Sequence, residues 1–264
     1  MIRITFVCIL ISNLSFAQVN DNFIQTFVMD EALLEENTLH QYQDKDFSNL
    51  WVATDNSLVY GIIGEDHQRI RIKFLAIKKN PFNAREYIVR GKSMVKETIC
   101  EFLGVIRLKT IKEVKTLHYG VDDEYQDKQI QAQGLVIADY ELMELKTQHH
   151  SGIFKGKLYT KWYLDSNQVI QFDNIEASSD DYMNNSFIGT WKNYVTGKEK
   201  NCNWGDYRVP EANEDFDIGV SEFSVSQKYL ENGWLDTTLE RQISNSTIKR
   251  ESKEKINNKV WWEE

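Results

Sequence analysis

Five long segments of this chain alternate apolar and polar residues with a period of two, and that period fixes the class of fold before anything else is considered. In Gln68 to Ile77, Ile70, Ile72, Phe74 and Ala76 oppose Arg69, Arg71, Lys73 and Leu75. Glu86 to Val95 sets Tyr87, Val89 and Gly91 against Arg90 and Lys92, and Thr98 to Thr110 sets Cys100, Phe102, Ile106 and Leu108 against Glu101, Arg107 and Lys109. Gln131 to Leu142 lines up Ala132, Gly134, Val136, Ala138, Tyr140 and Leu142, and Ile153 to Leu164 lines up Phe154, Gly156, Leu158, Thr160, Trp162 and Leu164. Phe187 to Thr196 and Gly219 to Val225 read as strands with weaker alternation. Each pattern is that of a strand with one buried face.

The connections are short. Asn80-Pro81-Phe82-Asn83 reads as a hairpin turn, because proline fixes φ and the residue before it avoids the helical region. Gly91, Gly104, Gly134 and Gly156 fall inside strands, where they mark bends or close backbone approach. Recurrent bends in successive long strands favour closure, so the expected fold is mostly β, an antiparallel barrel of the calycin-like up-and-down type or a sandwich. A short N-terminal helix, capped by Asp30 and carrying Leu33, Leu34, Glu35 and Glu36, precedes it, and a polar tail that is helical or loosely ordered follows.

The first residues carry a different signal. Arg3 precedes an apolar run from Phe6 to Leu14 that ends at Ser15-Phe16-Ala17, the form of a secretory signal peptide cleaved before Gln18. The organisation is then a signal at 1–17, a lead-in at 18–56, a β-barrel-like domain at 57–236 and a tail at 237–264. The expected location is secreted or periplasmic, with no transmembrane helix in the mature chain. Cleavage removes Arg3 alone among the charged residues, so the formal charge of −9 becomes −10. So acidic a surface argues against nucleic acid as a partner.

Two cysteines remain after cleavage, Cys100 and Cys202, and the even count in an oxidising compartment favours a bridge between them over two buried thiols. Neither has a C-x-x-C or H-x-x-x-H companion, so no metal is expected. No Gly-x-Ser-x-Gly elbow, Walker loop or Gly-x-Gly-x-x-Gly motif occurs, and no cofactor or catalytic set is assigned. Asp206, Glu211 and Glu222 make a carboxylate set only on paper, as a chain with 40 acidic residues offers such sets freely. His149-His150 and His67 lie in turns. The acidic cluster Asn213, Glu214, Asp215 and Asp217 has Ile218 where a calcium loop needs glycine, which favours a solvated loop. Arg69, Arg71, Lys73, Arg107, Lys109, Lys155, Lys157 and Lys161 form either a solvated sheet exterior or an anionic-ligand patch. Trp261 and Trp262 either dock on the barrel or present a partner-binding tip.

Phe187-Ile188-Gly189-Thr190-Trp191 contains a Gly-x-Trp triplet similar to that of lipocalins and avidins, which place theirs near the mature N-terminus. Tyr60-Gly61-Ile62-Ile63-Gly64 with Gln68 to Phe74, Cys100-Glu101-Phe102, and Cys202-Asn203-Trp204-Gly205-Asp206-Tyr207-Arg208 resemble blocks of an uncharacterised family of exported bacterial proteins. That resemblance implies export, a mostly β fold and a cysteine pair.

The functional expectation is an exported, non-catalytic binding or accessory protein, serving a small apolar ligand or an extracytoplasmic protein partner. Gly156 and Thr160 interrupt the bulky inward row of their strand, leaving room in the lumen beside Trp162 and Trp191 for the ligand. The alternatives are an extracytoplasmic hydrolase acting on glycan or lipid, and an outer-membrane β-barrel.

Overall fold

The computed structural model describes residues 23, 24, 27, 32–237 and 260–263. The expected signal peptide, the Asp30 cap and most of the tail lie outside them. Among the described residues nine strands form: β1 (Val59–Ile63), β2 (Gln68–Lys79), β3 (Glu86–Val95), β4 (Thr98–Glu113), β5 (Ala132–Glu144), β6 (Gly152–Leu164), β7 (Ile170–Phe172), β8 (Asn184–Asn193) and β9 (Glu199–Asp206). From β1 to β6 each strand pairs antiparallel with the next; β6 pairs with β8, β8 with β9, and β9 returns to β1. Eight strands thus close an antiparallel barrel, and β7 adds to the end of β6 beyond the reach of β8. The sandwich is not formed.

The inward rows of β3, β5 and β6 are those the alternation specifies, and they build one core with Ile70 and Ile72 of β2 and Phe187, Cys202 and Trp204 of β8 and β9. Two bulges change face without a mark in composition. At Leu75 the β2 register slips by one, so Ala76 is exposed and Ile77 packs on the core; the slip at Lys109 in β4 turns Ile111 inward. Gly156 and Gly189 face each other across β6 and β8, and the Tyr140 hydroxyl lies 2.8 and 2.7 Å from where their Cβ atoms would stand. A side chain at either position would evict Tyr140, which fills the lumen instead.

The lead-in is part of this core. The Asp30-capped helix is not seen at Leu33 to Glu36: Leu33 forms an isolated bridge with Val114, and the short helix α1 comes later, at Leu39–Tyr42. From there to Thr54 the chain plugs one end of the barrel. Tyr42 and Phe47 set their rings edge-on to Trp162 at 4.8 and 6.1 Å, and Trp51 meets Tyr87 at 4.9 Å. The Phe47 amide donates to the Tyr87 hydroxyl (3.1 Å) and the Trp51 indole N–H to Thr160 Oγ1 (3.0 Å). Segment 209–237 packs outside β1 and β2, where Phe216, Phe223, Tyr229 and Trp234 form a second cluster with Ile62. Gly219 to Val225 is not a strand; it makes a single bridge, Asp217 with Val225.

The outer wall of β3 to β6 is a lattice of cross-strand ion pairs: Arg107 with Glu86 (2.8 Å), Lys109 with Asp139 (3.1 Å) and Lys155 with Glu141 (2.8 Å). Arg69 and Arg71 instead share Asp236, Lys73 lies 4.7 Å from the Trp262 ring centre, and Lys161 is buried over Phe27 and Tyr182. The basic residues are therefore a paired exterior rather than one anion patch, and the tail tryptophans dock, with Trp261 buried. This polarity, apolar within and ion-paired without, is the reverse of a lipid-facing barrel. No helix among the described residues is long and apolar enough to cross a membrane.

Candidate functional site

Among the described residues three carboxyls are buried, Glu144, Asp173 and Asp206, and Glu144 and Asp206 stand at opposite ends of the barrel. At the unplugged end, Glu144 closes β5 and accepts hydrogen bonds from the Ser93 hydroxyl, the Gly152 amide (2.7 Å) and the Trp191 indole N–H (3.0 Å). Burial raises its pKa, and these three donors pull it back. Glu144 is a fully engaged structural group.

At the plugged end stands Asp206, the last residue of β9, 5% exposed. Thr54 Oγ1 donates to its Oδ2 (2.6 Å), as does Asn185 Nδ2 (2.7 Å), which also donates to the Leu50 carbonyl (2.7 Å). Asn185 Oδ1 accepts from Thr160 (2.9 Å), the residue that holds the Trp51 indole. One polar chain thus runs Trp51, Thr160, Asn185, Asp206, Thr54, stitching the plug to the wall. Asn185 can make it because it sits in the irregular start of β8, at φ 44°, a left-handed conformation that asparagine tolerates. Burial pushes the Asp206 carboxyl up to about 7, with the Thr54 and Asn185 hydrogen bonds opposing the shift.

Beside this chain the plug and the wall do not meet fully. A partly open slit runs in between Trp51, Val52 and Thr54 on the plug and Ile72 and Phe74 on β2. Its floor is Phe187, Trp204 and Asp206, and it encloses about 30 Å³, enough for a water molecule or a group of that size. Phe187 and Trp204 are stacked at 4.6 Å. Both hydrogen bonds to Asp206 fall on Oδ2, so Oδ1 is the oxygen left for a further donor.

No family model, curated protein or solved structure matches this chain.

The two tryptophans expected to share a pocket do not. Trp162 is wholly buried under Tyr42 and Phe47 at the plugged end. Trp191 bonds Glu144 at the other, opposite Phe154, which precedes Trp162 by eight positions on β6, on the order of 26 Å along a strand. Nor does the Cys100–Cys202 bridge form: both are free and buried. Cys100 is on β4 and Cys202 on β9, four steps round a ring of eight and so on opposite walls, whereas a disulfide needs Cα atoms within about 7 Å.

The acidic loop is organised by a cation of the chain itself. Buried Arg208 pairs with Asp217 and donates to the carbonyls of Gly219 (3.2 Å) and Val220 (2.9 Å), and Asp215 pairs with Lys228 (2.7 Å). Among the described residues no group of three His, Cys, Asp or Glu side chains converges as a metal site. Of the paper set Asp206, Glu211 and Glu222, Asp206 takes its hydrogen bonds from Thr54 and Asn185, not from either glutamate's surroundings. Thr54 and Asn185 are site residues that sequence reasoning missed, and Thr160, expected on the inward row as a gap for a ligand, instead bonds Asn185 and Trp51.

Proposed function

We propose that this chain is an exported, non-catalytic binding or accessory protein that holds the apolar body of a small ligand at the slit between the plug and the wall. The observation that carries the reading is the slit itself. It is where a lumen otherwise filled by side chains opens toward solvent, and it joins aromatic walls (Trp51, Phe74, Phe187, Trp204) to a few fixed polar groups, the composition of small-molecule sites. Export rests on the N-terminal signal pattern.

Tryptophan fluorescence titration of the mature chain with small lipophilic probes, among them N-phenyl-1-naphthylamine and 2-phenylethanol, tests the reading. Saturable binding that is weakened in Phe74→Ala and kept in Trp191→Ala is the expected result. No binding to the wild type, or equal binding in both variants, defeats it.

A further inference from the structure

We propose that the slit selects ligands bearing a primary ammonium group, received by Asp206 and surrounded by aromatic faces, with the apolar body of the ligand lying across the mouth at Trp51 and Phe74. The inference rests on the slit being the binding site and adds the chemistry of the head group.

Three observations on the floor of the slit carry it. The enclosed space, about 30 Å³, has room for a head the size of a water molecule and not for a ring. Its polar wall offers a carboxyl whose Oδ2 is already taken by Thr54 and Asn185, leaving Oδ1 as a pure acceptor once the group is ionised. Four of the other lining residues are rings, Trp51, Phe74 and the stacked Phe187 and Trp204, and aromatic faces attract a cation by their quadrupoles. An anionic head would meet the Asp206 charge, and a neutral apolar head would leave Oδ1 without a donor. A primary ammonium satisfies both demands.

The other charges near the slit do not oppose this. Lys73 lines it, but its ammonium lies over the Trp262 ring. Tyr182 and Tyr207 are the titratable groups coupled to Asp206, and burial pushes both upward, so they stay neutral while Asp206 ionises. Asp55, between the lining residues Thr54 and Asn56, is held low by its bonds to Ser57 and by Lys73, so the Asp55 and Lys73 charges offset one another. On binding, the ligand enters as the ammonium, Asp206 becomes the carboxylate, and its proton leaves to bulk water.

The test compares 2-phenylethylammonium with 2-phenylethanol, its near-isostere without charge, by equilibrium titration of the mature wild type at pH 5.5 and 8.5. With Asp206 titrating at about 7, the receptive fraction rises from a few per cent to nearly all, so the apparent affinity for the amine should tighten about 30-fold. The alcohol should bind independently of pH. Asp206→Asn should weaken the amine and abolish its pH dependence while sparing the alcohol, and the wild-type pH series stands even if that variant folds poorly. Equal, pH-independent binding of both probes would overturn the ammonium selectivity and leave the slit as the site. Binding of neither would overturn the slit reading, and this inference with it.

Discussion

Replacing Asp206 by asparagine should make the protein more stable at pH 8 and flatten its stability between pH 4 and 8. The folded pKa, about 7, lies above the ordinary 3.8 of an aspartate carboxyl in water. A carboxyl raised on folding binds its proton more tightly when folded, so its contribution is fully present below pH 3.8, declines as pH rises, and is lost above 7. The gap of roughly 3 units corresponds to about 4 kcal/mol as an upper figure for a buried group. Asparagine keeps an acceptor oxygen for the Thr54 and Asn185 donors and puts an N–H where the protonated acid had its O–H, so near pH 4 the two proteins should differ by about 1 kcal/mol or less. At pH 8 the wild type carries the cost of a buried charge that the variant lacks. At roughly 2–4 °C per kcal/mol for a chain of this size, the difference in Tm should reach on the order of 10 °C. Glu144, also raised by burial, gives a slope of the same sign in both proteins and cancels in the comparison. Thermal melts of both at matched ionic strength from pH 4 to 8 decide the matter. Parallel profiles would refute the claim that Asp206 is the proton-linked group.

Three further outcomes can be checked directly. Arg208→Ala leaves Asp217, its side chain 14% exposed, with only the Gly219 and Ser224 amides and frees the Gly219 and Val220 carbonyls, and should cost about 3 kcal/mol in urea unfolding; a loss under about 1 kcal/mol would mean that the pair does not anchor the 209–237 segment. Cys100 and Cys202, both buried and with their thiols pushed far above the usual range by desolvation, should label slowly in the native protein. In denaturant without reductant, both should label freely on a chain starting at Gln18; failure to label would restore the disulfide. Mass analysis of exported protein should find Gln18 at the N-terminus, and an intact Met1 on the exported species would remove the signal-peptide reading.

The barrel wall was legible because a strand with one face in a core must alternate, and the inward rows of β3, β5 and β6 keep that period even where both faces become buried, as at 158–164. What escaped was whatever depends on a single residue or on closure. A bulge at Leu75 exchanges Ala76 for Ile77 on the inner face, and nothing in either side chain announces it. Strand β9 begins Glu199-Lys200-Asn201, a polar start that hid it, although Cys202 and Trp204 keep the alternation and could have revealed it. The disulfide misjudgement has the same root: cysteine count and compartment say nothing of which wall each strand joins.

The site illustrates closure at its most demanding. Asp206 is visible in the sequence as one acidic residue among 40. Its environment is assembled from Thr54, 152 positions earlier, and from Asn185, itself bonded to Leu50 across 135 positions. None of these side chains is unusual in its own segment, and they become a site because the lead-in threads back as a plug. The plug also explains why Trp162 does not line a ligand cavity: Tyr42 and Phe47 occupy the space that a lumen ligand would take. In a barrel filled by its own N-terminal segment the seam between plug and wall holds a slit, and there a buried acid has one oxygen taken by neither Thr54 nor Asn185. Burying that acid costs stability wherever it is ionised. Asparagine would also accept from Thr54 and Asn185, so the proposed reception of a cationic head gives the carboxyl's charge a use that these two hydrogen bonds do not.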